Sequence, residues 1–276
     1  MMKEVFITAE VGINHNGDLN LAKRMIDAAL LAGCAAVKFQ KRTIETVYTK
    51  EFLDSLRQSP WGTTQRDQKN GLEFGEAQYD EIDRYCKELG IGWFASAWDV
   101  NSQKFLRRYD LKYNKVASPV LTNIPLLKTV AEEKHYTFIA TGMSTWEEID
   151  TAVGIFRDAG CPFELLHCVS IYPMLPGEAN LLMIPELKRR YQCPVGYSSH
   201  ELGNIATLGA VALGAESVER HITLDRKMYG SDQSSSVEPA ELIEYVKAIR
   251  DMEAARGTGL RNLTEKEMLI RKKMRG

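Results

Sequence analysis

The chain has 276 residues, 44% of them hydrophobic, which is enough apolar material to bury a sizeable core in one large domain or two small ones. Its 35 basic and 37 acidic side chains leave a net charge of −2, a balance without the electrostatic footprint of a protein that binds nucleic acid or an anionic membrane. The start, Met-Met-Lys-Glu-Val, is too acidic for a signal peptide and no apolar run reaches the roughly 18 residues of a membrane span; the five scattered cysteines, never spaced C-x-x-C, read as reduced thiols in a cytoplasmic protein.

Short β-rich apolar runs alternate with segments of helical periodicity. Val5 to Ala9 is the first strand, followed by a helix from Leu19 to Ala32 with an Asp18 cap and Gly33 at its end. Ala36 to Gln40 is the second strand. The stretch from Thr43 to Gly75, with Pro60-Trp61-Gly62 inside it, reads as one long irregular loop. Helix Glu76 to Leu89, strand Gly92 to Ala95, helix 100–109, strand 113–117, helix 124–133 and strand Thr137 to Ala140 follow. Helix 146–159, strand Phe163 to Cys168, helix 181–191, strand Val195 to Tyr197, helix 203–213, strand Ser217 to Ile222 and a helix from Pro239 to Ala255 complete the pattern. Residues 257–276 read as a mixed-charge tail, either a short helix from Glu265 or a frayed end.

Eight strand–helix units over this length predict a single-domain (β/α)8 barrel of the TIM type spanning 1–276, with the 43–75 loop over its mouth. The alternative is a doubly wound open sheet. The turn after the first strand, Gly12-Ile13-Asn14-His15-Asn16-Gly17, lacks the G-x-G-x-x-G spacing of a dinucleotide-binding fold, so the barrel is preferred.

In such a barrel the chemistry belongs at the C-terminal strand ends. The polar residues there are Glu10, Lys38 with Gln40, Ser96, Lys115 with Ser118, Thr141-Gly142-Met143-Ser144, His167 with Ser170 and Tyr172, Ser198 with His200, and Glu219 with His221. A single lysine in a β-run is ordinarily a rim residue with its stem on apolar surface. Two of them, in Val37-Lys38-Phe39 and Asn114-Lys115-Val116, point to a phosphate or carboxylate ligand. Thr141 to Ser144 can cradle a phosphate at a helix start, or simply cap that helix. His15 also falls just after a strand end, whereas His135 precedes its strand on the opposite face. His200 and His221, on neighbouring strands, are candidate ligands of one divalent ion with open positions, and Glu219 could orient a bound water or act as a base.

Seven motifs occur in order at strand ends. They are Ala9-Glu10-Val11-Gly12-Ile13-Asn14-His15-Asn16-Gly17, Val37-Lys38-Phe39-Gln40, Lys115-Val116-Ala117-Ser118, Thr141-Gly142-Met143-Ser144, Leu166-His167-Cys168-Val169-Ser170-Ile171-Tyr172-Pro173, Gly196-Tyr197-Ser198-Ser199-His200 and Glu219-Arg220-His221-Ile222-Thr223-Leu224-Asp225. With them the chain resembles, along essentially its whole length, the catalytic domain of the sialic acid synthases, which condense phosphoenolpyruvate with an aldose to a 2-keto-3-deoxy acid. The resemblance implies that Lys38 and Lys115, helped by Gln40, Ser118, Ser144, Ser170 and Ser198, hold phosphoenolpyruvate. It implies that His200 and His221 bind Mn²⁺ or Mg²⁺, that Glu10 and Glu219 are the proton-transfer and water-orienting carboxylates, and that Tyr172 and Asp232 lie near the acceptor. It further implies a homodimer.

Two departures bear on the acceptor. Family members usually carry an acidic residue two positions after the Ser that corresponds to Ser118, where this chain has Val120. The sequence also stops at Gly276, before the antifreeze-like domain that commonly follows, so N-acetylmannosamine is not assured as the acceptor. Two alternatives remain open at this level: a Schiff-base pyruvate aldolase using Lys115 or Lys38 as nucleophile, and a degenerate phosphoenolpyruvate- or sugar-binding subunit that needs a partner chain.

Overall fold

A computed structural model of the chain describes residues 4–276. Eight parallel strands close into a barrel: β1 (Phe6–Gly12), β2 (Ala36–Lys41), β5 (Gly92–Ala97), β6 (Tyr113–Val116), β7 (Tyr136–Ala140), β8 (Phe163–Cys168), β9 (Val195–Ser199) and β10 (Ser217–His221). Each pairs with the next and β1 pairs with β10, so no barrel strand is left with a free edge. The barrel is wrapped by α1 (Leu19–Ala32), α5 (Glu76–Leu89), α6 (Val100–Leu106), α7 (Ile124–Ala131), α8 (Trp146–Asp158), α9 (Met183–Tyr191), α10 (Ile205–Ala212) and α11 (Pro239–Arg256). An exposed helix, α12 (Glu265–Arg275), follows. Among the described residues no helix is long and apolar enough to cross a membrane.

Capping residues set the helix starts. The Asp18 carboxylate accepts from the backbone N–H groups of Asn20 and Leu21, and Thr145 and Glu148 form a reciprocal capping box at α8. The stretch from Thr43 to Gly75 departs from the sequence expectation. It is not irregular but holds α2 (Ile44–Val47), α3 (Lys50–Asp54), a hairpin of β3 (Leu56–Ser59) and β4 (Gly62–Thr64), and α4 (Gln65–Leu72). These elements are short and polar, so they show little periodicity; the hairpin is anchored by Trp61, whose ring meets Tyr229 edge-on at 5.7 Å.

Strand parity organises everything else. Side chains alternate between barrel lumen and helix layer, and the register of the ladder puts corresponding residues at one height. The lower lumen is filled by Phe94, Phe138, Leu166 and their aromatic neighbours Phe6, Tyr113 and Tyr136. Outward-facing Ile7, Val37, Val116, Ile139, Leu165, Val195 and Val218 bury against the helices in the larger core. Two residues beyond Phe6, Phe94 and Tyr113, the lumen turns polar at Thr8, Ser96 and Lys115.

Candidate active site

Ladder pairing sets Glu10 of β1 between Lys38 of β2 and His221 of β10, and Ser96 of β5 beside Lys115 of β6. The side chains of four buried charged residues, Glu10, Lys38, Lys115 and Glu219, converge in the lumen. Lys38 Nζ lies 2.5 Å from Glu10 Oε2 and 3.5 Å from Glu219 Oε1, while Lys115 Nζ lies 3.6 Å from the same Glu219 oxygen. Ser198 donates to Glu219 at 3.4 Å, and Gln40 Nε2 to Glu10 Oε1 at 2.9 Å. Buried charges of this kind persist only when they neutralise each other or a ligand.

The two lysines differ in kind. Burial works against both ammonium groups, but at Lys38 the Glu10 and Glu219 carboxylates outweigh it and hold the pKa above the usual lysine value. At Lys115 burial, reinforced by the Lys38 charge, exceeds the pull of Glu219 and leaves the pKa below it. Burial alone would raise Glu219, yet Lys115 and Lys38 together keep it low and ionised. Lys115 is thus the less compensated cation of the pair.

A cavity of about 370 Å³ opens above these groups. Gln40, Ser96, Ser118, Ser170, Tyr172, Ser198 and Asp232 all line it with the charged quartet, as do His200 and His221. The backbone N–H of Gly142 donates to Ser118 Oγ at 3.1 Å. A Cβ on Gly142 would sit 2.5 Å from Ser170 Oγ and 2.8 Å from Ser118 Oγ, so a side chain there would drive the two hydroxyls apart. Gly12, at φ +54°, is crowded likewise, because an added Cβ would lie 3.1 Å from Glu10 Oε1 and 3.2 Å from His221 Cε1.

The Tyr172 ring lies against His200, 3.9 Å between centroids and tilted by 35°, and the two imidazoles are 5.7 Å apart. Burial pushes His200 down to about 3, so its ring is neutral. The Val169 carbonyl, 2.9 Å from His200 Nδ1, can only accept; it therefore fixes the proton on Nδ1 and leaves Nε2 as a lone-pair donor. His221 Nδ1 is buried without a hydrogen-bond partner. Neutral imidazoles with a free ring nitrogen are the donor type that divalent transition metals take. Among the described residues no set of three His, Cys, Asp or Glu is arranged to hold an ion, so any metal here would complete its coordination with substrate or water oxygens.

Three expected mouth residues lie elsewhere. Ser144 is not in the cavity: its hydroxyl donates to the Gly142 carbonyl at 3.2 Å, and it faces a separate shallow depression with Thr141 and Trp146. His167 has the outward parity of Leu165 and binds the Ala179 carbonyl at 2.7 Å. His15 stacks on Phe74 at 3.8 Å and is held neutral by burial. Val120 is buried in the apolar core.

The sequence reading missed Arg42 and Lys69 on the cavity wall, and the outward-facing Arg220. Arg220 donates to Ser199 Oγ at 3.0 Å and to the Glu201 carbonyl, behind the strands that carry His200 and His221. Its inward neighbours in Glu219-Arg220-His221 were the available signal, since parity forces the middle residue to the back.

Comparison with known proteins agrees with this architecture. The NeuB family model matches residues 25–261. The chain is 39% identical over 272 residues to human N-acetylneuraminate-9-phosphate synthase, covering 98% of this chain and 76% of that one. It is 35% identical to the N,N'-diacetyllegionaminic acid synthase of Legionella pneumophila, over 96% of this chain and 77% of that one. The crystal structure of an N-acetylneuraminic acid synthetase from Leptospira borgpetersenii in complex with citrate superposes with a TM-score of 0.88 at 36% identity, covering 99% of this chain and 93% of that one. With matched motifs, barrel and convergent charges in one place, the chain belongs to the NeuB family.

Proposed function

We propose that the protein condenses phosphoenolpyruvate with an aldose, giving a 3-deoxy-2-ulosonic acid and phosphate. The observation that carries this reading is the buried Lys38–Glu10–Glu219–Lys115 quartet beneath the imidazoles of His200 and His221. Lys115, incompletely compensated, and Lys38 supply cationic points for the donor's phosphate and carboxylate, with Ser118, Ser170 and Ser198 as hydroxyl partners. A divalent cation such as Mn²⁺ or Mg²⁺ held by His200 and His221 would supply Lewis-acid polarisation of the acceptor aldehyde.

The donor's C3 forms the new C–C bond with the aldehyde carbon, whose oxygen takes up a proton. Water then adds at C2 and the C2–O bond to phosphorus breaks, releasing inorganic phosphate. Glu219, kept ionised by the lysines, accepts the proton of the attacking water, and Glu10 with Lys38 forms the proton-transfer pair on the other side of the lumen. Tyr172 and Asp232 face the acceptor end of the cavity. Fixed lysine charge stabilises the developing anion without reorganisation.

The low Lys115 pKa favours one rival, in which that amine is the nucleophile of a Schiff-base pyruvate aldolase. One assay separates the two. Phosphate release from phosphoenolpyruvate is followed with an aldose panel, with and without EDTA, alongside borohydride trapping with pyruvate. The expected result is EDTA-sensitive, aldose-dependent release and no trapped adduct; a borohydride adduct at Lys115 and no release would establish the aldolase instead.

The named relatives divide between a synthase of a 9-phosphate and a synthase of a free diacetylated acid. Family membership therefore leaves the acceptor's phosphorylation open.

A further inference from the structure

The connection from β10 to α11 carries Asp232 to the cavity wall and Tyr229 to the Trp61 hairpin, and polar side chains hold its fold. Its two ends are clamped together: the Val237 N–H donates to the His221 carbonyl at 2.9 Å and the Thr223 N–H to the Val237 carbonyl at 3.0 Å, so residues 223–236 form a loop that returns to its starting point. Inside it Thr223, Gln233 and Ser236 are buried, and so is Asn14, which enters from the turn after β1.

Asn14 joins this loop to the barrel. Its Nδ2 donates to the Ile222 carbonyl and to Ser236 Oγ, both at 2.8 Å. The Ser236 hydroxyl in turn donates to the Asp232 carbonyl at 2.6 Å, and Ser235 donates to the same carbonyl at 3.2 Å. The Asn14 carbonyl accepts from Gln233 Nε2 at 3.1 Å, a group that also donates to the Tyr229 carbonyl at 3.2 Å, while Thr223 donates to Gln233 Oε1. The direction of the chain is fixed. The Ile222 and Asp232 carbonyls can only accept, so the amide must present its NH2 group, and the single Ser236 proton must go to Asp232, leaving an Oγ lone pair for Asn14.

The two amide protons therefore reach two segments that each carry a cavity residue: Ile222 directly follows His221, and Ser236 holds the backbone of Asp232. Apolar packing alone would let the loop slide over the rim, whereas directional hydrogen bonds in a buried network specify one position. Among the described residues the Asp232 carboxylate accepts only from the Ser231 hydroxyl, at 2.7 Å, so the network grips the loop by its backbone and leaves that side chain to a ligand.

We propose that Asn14 and Ser236 are positioning residues that set the spacing between His221 and Asp232, and with it the fit of the acceptor sugar held between the imidazoles and that carboxylate. The proposal rests on the reading of the cavity as a condensing site whose acceptor end is at Asp232. Neither residue lines the cavity; both act through Asp232 and the end of β10. A misplacement of about 1 Å at a substrate-facing group is enough to cost binding and rate, which is the error that such a network prevents.

The test is a double-mutant cycle read on both substrates. Phosphate release is measured with phosphoenolpyruvate and N-acetylmannosamine or mannose, each sugar free and as its 6-phosphate, in the parent, Ser236→Ala, Asp232→Ala and the double variant. Ser236→Ala is expected to raise KM for the sugar about tenfold while KM for phosphoenolpyruvate stays within about twofold, and to add nothing further in the Asp232→Ala background. Asn14→Asp, an isosteric change that turns the amide donor into an acceptor facing the Ile222 carbonyl, should act in the same direction and more strongly. Hydrogen exchange supplies a readout that needs no turnover: the amides of 229–236 should exchange faster in Ser236→Ala than in the parent, with β1 and β10 unchanged. Unaltered exchange in 229–236, an unchanged KM for the sugar, an equal rise in both KM values, or additive effects of Ser236→Ala and Asp232→Ala would overturn the positioning role. Faster exchange confined to 229–236 together with no phosphate release from any of the sugars would refute only the condensation reading.

Discussion

Lys38 and Lys115 illustrate how far two identical residues diverge when their distances to carboxylates differ by about an ångström. The one gripped by Glu10 is locked as a cation, while the one reached only by Glu219 at 3.6 Å remains available to a ligand. Lys69 is shifted the other way, because burial and, after it, the charges of Arg42 and Arg57 disfavour its ammonium form. Its folded pKa is depressed, so it is charged below about 8 and neutral above. The inward lysines, glutamates and histidines were readable because each falls at a strand end with apolar neighbours. Arg42 and Lys69 were not. Arg42 follows a lysine at a strand exit and resembles any rim residue, and Lys69 lies in a polar segment whose fold is set by tertiary contacts such as Trp61 on Tyr229.

Individual elements place these residues through parity and caps. Between β9 and α10 the chain makes a turn at His200-Glu201, and the buried Glu201 carboxylate accepts from the backbone N–H groups of Ala206 and Thr207, both at 2.8 Å, and from the Thr207 hydroxyl. Arg220 ties that turn to β10 from behind. One side-chain network thus fixes the strand ends that carry both imidazoles. Arg220→Met leaves the Ser199 and Glu201 acceptors buried without their donor, a loss expected to cost about 3 kcal/mol in urea unfolding. The conservative Arg220→Lys should recover part of it; an Arg220→Met variant as stable as the parent would show that the network is dispensable. Helix α5 and strand β8 match their sequence-read boundaries, because apolar periodicity and the Gly90 stop agree at α5 and β8 is a short apolar run that starts just after Pro162. Strands β1 and β9 run further than their apolar runs, since Glu10, Ser198 and Ser199 continue the ladder after the hydrophobic signal has ended. The polar strand-end residues are the cause of that shortfall, and Ser144 was hard to place for the related reason that a helix cap and a phosphate cradle use the same residue types.

At the scale of the molecule, two cores share one sheet. Outward-facing side chains pack the strands against the helices, and an aromatic cluster fills the lower lumen beneath the polar quartet, with the buried Glu164 carboxylate accepting from Tyr136 and Ser217 beside it. A low-dielectric surrounding strengthens the contacts between opposite charges above it, and those contacts offset the cost of burying the groups. The (β/α)8 architecture was legible from eightfold alternation alone, and the floor of the cavity from motifs at strand ends. The rim was not, because it is assembled from the 43–75 segment and the β10–α11 connection, which approach each other only in the folded barrel. The central claim, condensation with C–O cleavage, is tested most directly by phosphoenolpyruvate labelled with ¹⁸O in its bridging oxygen, turned over with the aldose that supports phosphate release. The label should leave in inorganic phosphate, in step with formation of the sugar acid. Label retained in the carbon product, or phosphate released without a new C–C bond, would contradict it.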